Sequence, residues 1–205
     1  MNKTMGFIFA AFGILIFATL MLIIIPSAQL ATVPPEPGLK PYTELELEGR
    51  RIYVSQGCVY CHSQQPRDPS QAPDTARGWG RPSTPGDYAY DYPHLLGTMR
   101  TGPDLMNIGV RQPSDDWHLA HLYQPRALVE WSIMPSFPYL FEIKDQAYGS
   151  DVEIKLPEKY RPNGKVVVAT HDALALVAYL KSLKRNYPSS QLTFKGPRTV
   201  EEKSK

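Results

Sequence analysis

The chain has 205 residues and a formal net charge of +2, so nothing in its charge argues for nucleic-acid binding. Its size admits one compact domain with an appendage. Twenty prolines and twelve tyrosines predict long ordered loops rather than dense regular structure.

The first element is apolar. Residues 6–25, GFIFAAFGILIFATLMLIII, carry no charge and no proline. Twenty residues at helical rise match a hydrocarbon layer of about 30 Å. Lys3 precedes the run, and the first basic residue after it is Lys40. The positive-inside rule therefore predicts a cytoplasmic amino terminus and an exported remainder. A cleaved signal peptide would have a shorter apolar region ending in an Ala-x-Ala-like site; this one ends Ile25-Pro26-Ser27-Ala28, so an uncleaved anchor over 1–31 is expected. Proline density in 33–38, VPPEPG, makes 32–42 a stiff spacer holding the next domain off the membrane.

Residues 43–57 read as a helix. Thr43 and Glu46 match a capping box, and Tyr42 and Leu47 the hydrophobic staple. Leu45, Gly49, Ile52 and Tyr53 share one face. Gly49 costs about 1 kcal/mol of propensity, a loss that close approach of another helix would offset. The candidate partner is 171–184, HDALALVAYLKSLK, with Thr170 as cap and Ala173, Leu176, Val177, Leu180 and Leu183 in one stripe. Asp172 lies in its first turn and Lys181, Lys184 and Arg185 in its last, as the helix dipole prefers.

Between these helices, 63–101 is a long loop whose aromatics (Trp79, Tyr88, Tyr90, Tyr92) predict order. Residues 114–132 predict two short helices, the first capped by Ser114 and the second opened by Pro125. Residues 142–169 look irregular, with a hint of a hairpin between VEIKL and KVVVA around Pro162-Asn163-Gly164.

Both cysteines lie in 57–62, GCVYCH. A redox disulfide would call for a βαβ pattern, which is not visible. Structural zinc normally takes four closed ligands, and no second cysteine pair exists. The C-x-x-C-H reading is covalent haem attachment through Cys58 and Cys61, with His62 on the iron. Export and the capped helix just before the motif support it. His62 then needs an acceptor for its other ring nitrogen. Gly102-Pro103-Asp104-Leu105 is either an ordinary turn or the source of that acceptor, the Pro103 carbonyl. Candidates for the opposite axial position are Met99, Met106, Met134 and the histidines His94, His118, His121 and His171. Pro135 breaks helical geometry at Met134 and can turn its thioether outward. Met106 reads as core filling, and His118 and His121 as structural or interface residues. Arg77, Arg81 and Arg100 are candidates to neutralise haem propionates, with solvated loop arginines as the default reading.

With these residues in place the chain resembles a membrane-anchored class I cytochrome c. More narrowly, it resembles the mono-haem subunit (subunit II) of cbb3-type cytochrome c oxidase. The resemblance is carried by EGRRIYVSQGCVYCHSQ (48–64), DYP(x)6RTGPDL (91–105), GVRQPSDDWHLAHLYQPR (109–126) and SIMPSFPYL (132–140). It covers most of 1–141, is weak over 142–170, and departs around 65–70 and 77–81.

The resemblance implies an all-α fold: one N-terminal transmembrane helix, then a class I cytochrome c domain over 43–185 with long ordered loops, and a polar tail over 186–205. It implies one covalent haem c held by Cys58 and Cys61, iron ligated by His62 and Met134, and Pro103 supporting His62. The implied role is electron transfer without catalysis of its own, from an external donor cytochrome to a haem–copper catalytic subunit. Further cytochrome c subunits and the lipid bilayer would be its other partners, with the haem domain in the periplasm. A nitric oxide reductase subunit, a free anchored shuttle and an open-site haem enzyme or gas sensor are the alternatives.

Overall fold

In the computed structural model, residues 2–97 and 99–189 are described; most of the expected tail lies outside them. The chain falls into two compact units. One is built from the described parts of Met1–Leu39 and Thr84–Asp91 with Ser189, the other from Lys40–Ser83 and Tyr92–Pro188.

In the first unit, helix α1 (Lys3–Thr19) runs through a π-helical turn (Leu20–Ile24) into α2 (Ile25–Ala31). Together they make 29 continuous helical residues, long and apolar enough to cross a membrane. Pro26 does not end the helix. It lacks an N–H, and the wider turn just before it absorbs the lost bond. The proline-rich spacer is not merely extended. Glu36 is buried, and its carboxylate accepts from the Thr84 hydroxyl (2.8 Å) and the Ser189 hydroxyl (2.6 Å). The Glu36 N–H donates to the Gly86 carbonyl at 3.2 Å. A buried carboxylate needs such partners, and they tie the spacer to 84–87.

The second unit is organised by α3 (Glu44–Ser55) and α6 (His171–Ser182). Both start where the caps predict. Glu46 N–H donates to Thr43 Oγ1 (3.3 Å) and Thr43 N–H to Glu46 Oε2 (2.7 Å), while Ala173 N–H donates to Thr170 Oγ1 (3.4 Å). Gly49 sits where the helices touch: a Cβ there would collide with the Ala175 carbonyl and come 2.8 Å from Tyr179 Cβ. The α6 stripe is buried in full. Leu45 is not on the buried face of α3; it is 40% exposed, and Arg50 lies inside instead. Lys184 and Arg185 fall beyond the last turn of α6, where the Arg185 N–H donates to Asn107 Oδ1 (2.6 Å).

The fold is mainly helical but not all-α. Strand β1 (Phe141–Lys144) pairs antiparallel with β2 (Val166–Ala169), Phe141 opposite Ala169. The β-branched run VVVA therefore does form a strand, as hinted, but FEIK is its partner. VEIKL makes one bridge, Glu153 to Val168, on the other edge. Of the two helices expected over 114–132, only α5 (Asp115–Tyr123) forms. The second is a single 3-10 turn, Pro125–Ala127. Leu128, Trp131 and Ile133 are exposed, so no buried face supports a longer helix there. The short α4 (Ile108–Arg111) packs on α6 through Gly109, whose Cβ would strike the Lys181 carbonyl.

Candidate functional site

Gly57 ends α3 in the left-handed region (φ 73°), where a residue without Cβ fits at no steric cost. A 3-10 turn (Cys58–Tyr60) follows at once, and the His62 N–H donates to the Cys58 carbonyl at 3.0 Å. Both cysteines and His62 therefore lie on one tight bend. The thiols are free. Burial pushes the Cys58 thiol up to about 11, so it stays protonated.

The segment 102–105 runs beside this bend. Gly102 N–H donates to the Cys61 carbonyl (2.9 Å) and Leu105 N–H to the Ser63 carbonyl (2.8 Å). This places the Pro103 carbonyl 2.8 Å from His62 Nδ1. Nδ1–H donates there, which leaves Nε2 as the nitrogen with a free lone pair. Burial lowers the His62 pKa more than the Pro103 bond raises it, so the ring is neutral. Gly102 lies flat against it: a Cβ would overlap the imidazole.

Before His62 opens a cavity of about 330 Å³, lined mainly by apolar side chains. Cys61, His62, Pro103 and Met134 all border it, whereas Cys58 borders the core. Met106 is buried in the core and Met99 is exposed on a loop, so Met134 is the methionine in the wall. His171 is far from these roles, paired with Glu48 at 2.9 Å. Among the described residues no three of His, Cys, Asp and Glu gather as a metal site.

A planar macrocycle with a central iron fits these residues. The cavity is apolar, Cys61 lies on its rim with Cys58 on the same bend, and a neutral imidazole is held with one nitrogen uncommitted. A thioether also lines the wall. The Arg111 Nε–H is a buried donor without a partner in the same wall.

The family described as cytochrome c oxidase, mono-heme subunit/FixO matches residues 1–161. The chain belongs to this family. No curated protein matches it. The match covers the site and extends into the segment where the sequence resemblance fades. As a FixO-family subunit the chain works in electron transfer, within a complex that includes the oxidase's catalytic subunit. The family carries one haem, and Cys58 and Cys61 have the spacing that attaches it.

Sequence reasoning missed three features of this subunit's site. Arg100 is not solvated: it donates to Asp74 (2.6 Å), Ser63 Oγ (3.0 Å) and the Gln65 carbonyl (2.7 Å). Arg81 is bound to the Tyr187 and Pro82 carbonyls, and Arg77 lies over Trp79. The arginine in the cavity wall is Arg111, which also donates to the Asp104 carbonyl. His118 and His121 line the cavity rather than a surface. Their i, i+3 spacing was the available signal.

His121 gives a pH prediction. Burial, then the nearby His118 and His62, hold its pKa down to about 4, against 6.5 for a free histidine. The unfolded chain binds this proton first as pH falls. Stability is therefore complete above about pH 6.5 and declines toward about pH 4, by roughly 3 kcal/mol from this group. His121→Phe should flatten that decline in urea unfolding curves taken at about pH 7 and about pH 4. An unchanged slope would remove His121 as its source.

Proposed function

We propose that Cys58 and Cys61 attach one haem c by thioether bonds and that His62 and Met134 ligate its iron. The subunit then accepts electrons from an external donor cytochrome and delivers them to the haem–copper subunit of a cbb3-type oxidase. Pro103 supports His62. The observation that carries this reading is the His62 ring: neutral, bonded through Nδ1 to Pro103, and facing a cavity that Met134 also lines. Bound haem supplies one-electron chemistry; the chain supplies orientation and exclusion. Cys58 and Cys61 fix the group covalently, so it is not lost between transfers. The Pro103 bond prevents ring rotation and raises the basicity of Nε2. Met134 closes the remaining position and favours the reduced state. The apolar wall keeps water away.

The apolar helix Lys3–Ala31 supports a single-pass anchor in the bacterial inner membrane, amino terminus cytoplasmic and haem unit periplasmic. The family match favours an oxidase over a nitric oxide reductase. The membrane-bound partners would be the catalytic subunit and further cytochrome c subunits.

The test is purification of the full chain in mild detergent with haem staining. Oxidase subunits are expected to co-migrate, and Cys58→Ser/Cys61→Ser to abolish the stain. A sulfur-to-iron charge-transfer band should appear in the oxidised protein and vanish in Met134→Ala. Migration alone would refute the subunit role, and an absent band would refute Met134.

A further inference from the structure

His118 and His121 both line the cavity, but they are not equivalent. His118 is committed, with Nε2 2.8 Å from the Gln112 carbonyl. His121 is not. Its Nδ1 is buried without a hydrogen-bond partner, and its ring stacks on Trp117, centroids 4.6 Å apart and planes 9° from parallel. The stack restricts ring rotation. With Nδ1 turned into the protein, the ring edge carrying Nε2 is the one left to the cavity. His62 and Met134 line the same cavity. A neutral imidazole with a free nitrogen is an iron ligand by its chemistry.

We infer that His121 is a reserve ligand for the haem iron, taking the sixth position when Met134 leaves it. This rests on Met134 being the resting ligand. The contrast with His62 explains the ranking. His62 donates Nδ1–H to a carbonyl, which strengthens and orients it; the His121 Nδ1 has no such support, which makes it the weaker donor. Met134 sits on 132–135, which forms no helix or strand, whereas His121 lies within α5. The exchange breaks one iron–sulfur bond and makes one iron–nitrogen bond, with no electron or proton gained or lost. The result is a haem that stays closed to gas ligands but has a lower potential, since histidine favours the oxidised state more than methionine does.

The test uses the haem-loaded full chain in detergent, read by absorption and electron paramagnetic resonance. Wild type and His121→Ala should both show the sulfur-to-iron band. Met134→Ala should remain low-spin with a bis-histidine signature and fail to bind carbon monoxide. Met134→Ala/His121→Ala should become high-spin and bind carbon monoxide, while Met134→Ala/His118→Ala stays low-spin. Added imidazole should return the first double variant to low-spin, showing that its site is intact. A high-spin Met134→Ala overturns the reserve role and leaves the Met134 assignment standing. A wild type without the sulfur band, whose His121→Ala variant turns high-spin, makes His121 the resting ligand and overturns both.

Discussion

Gly49→Ala is expected to destabilise the subunit by about 3 kcal/mol, although alanine is the better helix former by about 1 kcal/mol. The added methyl group would strike the Ala175 carbonyl and Tyr179 Cβ. Neither can swing aside, because one is backbone and the other is the root of a fully buried side chain. Tyr179 is also fixed at its far end, exchanging hydrogen bonds with the Gln64 side chain (3.0 and 3.1 Å). Its ring packs against those of Tyr42 and Tyr53, centroids 5.7 and 5.5 Å away. The helices would have to separate, and α3 leads directly into the Cys58–His62 bend. Urea unfolding followed by circular dichroism checks the expected loss. Gly78→Ala is the control: nothing lies within 4 Å of its Cβ, so only the left-handed backbone (φ 73°) costs, about 1 kcal/mol. Equal effects at the two sites would refute the helix-contact account of Gly49.

Arg100→Ala is expected to cost about 3–5 kcal/mol, the range for removing one partner of a buried ion pair. The Arg100 side chain is 15% exposed, and those of Asp74 and Asp104 are fully buried. Asp104 also accepts from Ser63 Oγ (2.6 Å) and Gln65 N–H (2.7 Å). Burial pushes the Asp74 carboxyl up, but the Arg100 and Arg67 contacts outweigh it and hold it below the usual range. Without Arg100 both carboxylates lose an ion pair. The same group clamps Ser63 and Gln65, next to His62, against the segment that carries Pro103. We therefore expect a second consequence, a shifted haem potential from a loosened His62–Pro103 bond. Arg100→Ala/Asp74→Ala should lose less than the sum of the single changes. Full additivity in unfolding curves, with an unmoved potential, would contradict the clamp.

The residues differ in how much of this was legible beforehand. The capping box at Thr43, the cap at Thr170 and the α6 stripe depend on neighbours within four positions, so periodicity and residue type suffice. Gly49 was readable as a contact because a glycine inside a good helix is costly without one. The pairing of VVVA with FEIK was not, since strand partners are chosen by burial across more than 20 residues of chain. Arg100 looked like a solvated loop arginine because its partners Asp74 and Ser63 are 26 and 37 positions away. His121 looked structural for a similar reason: its ring belongs to a cavity whose walls come from five separate segments.

By itself the sequence determined the apolar N-terminal helix, the two long capped helices, the C-x-x-C-H bend and the family that these motifs spell out. Those signals are local, written in consecutive or helically spaced residues. Only the tertiary structure decided that Pro103 meets His62, that Met134 rather than Met99 or Met106 borders the cavity, that Glu36 pins the spacer, and that His121 stands uncommitted beside the site. Each of these depends on residues far apart in the chain being brought into contact by burial, which no short stretch of the chain encodes.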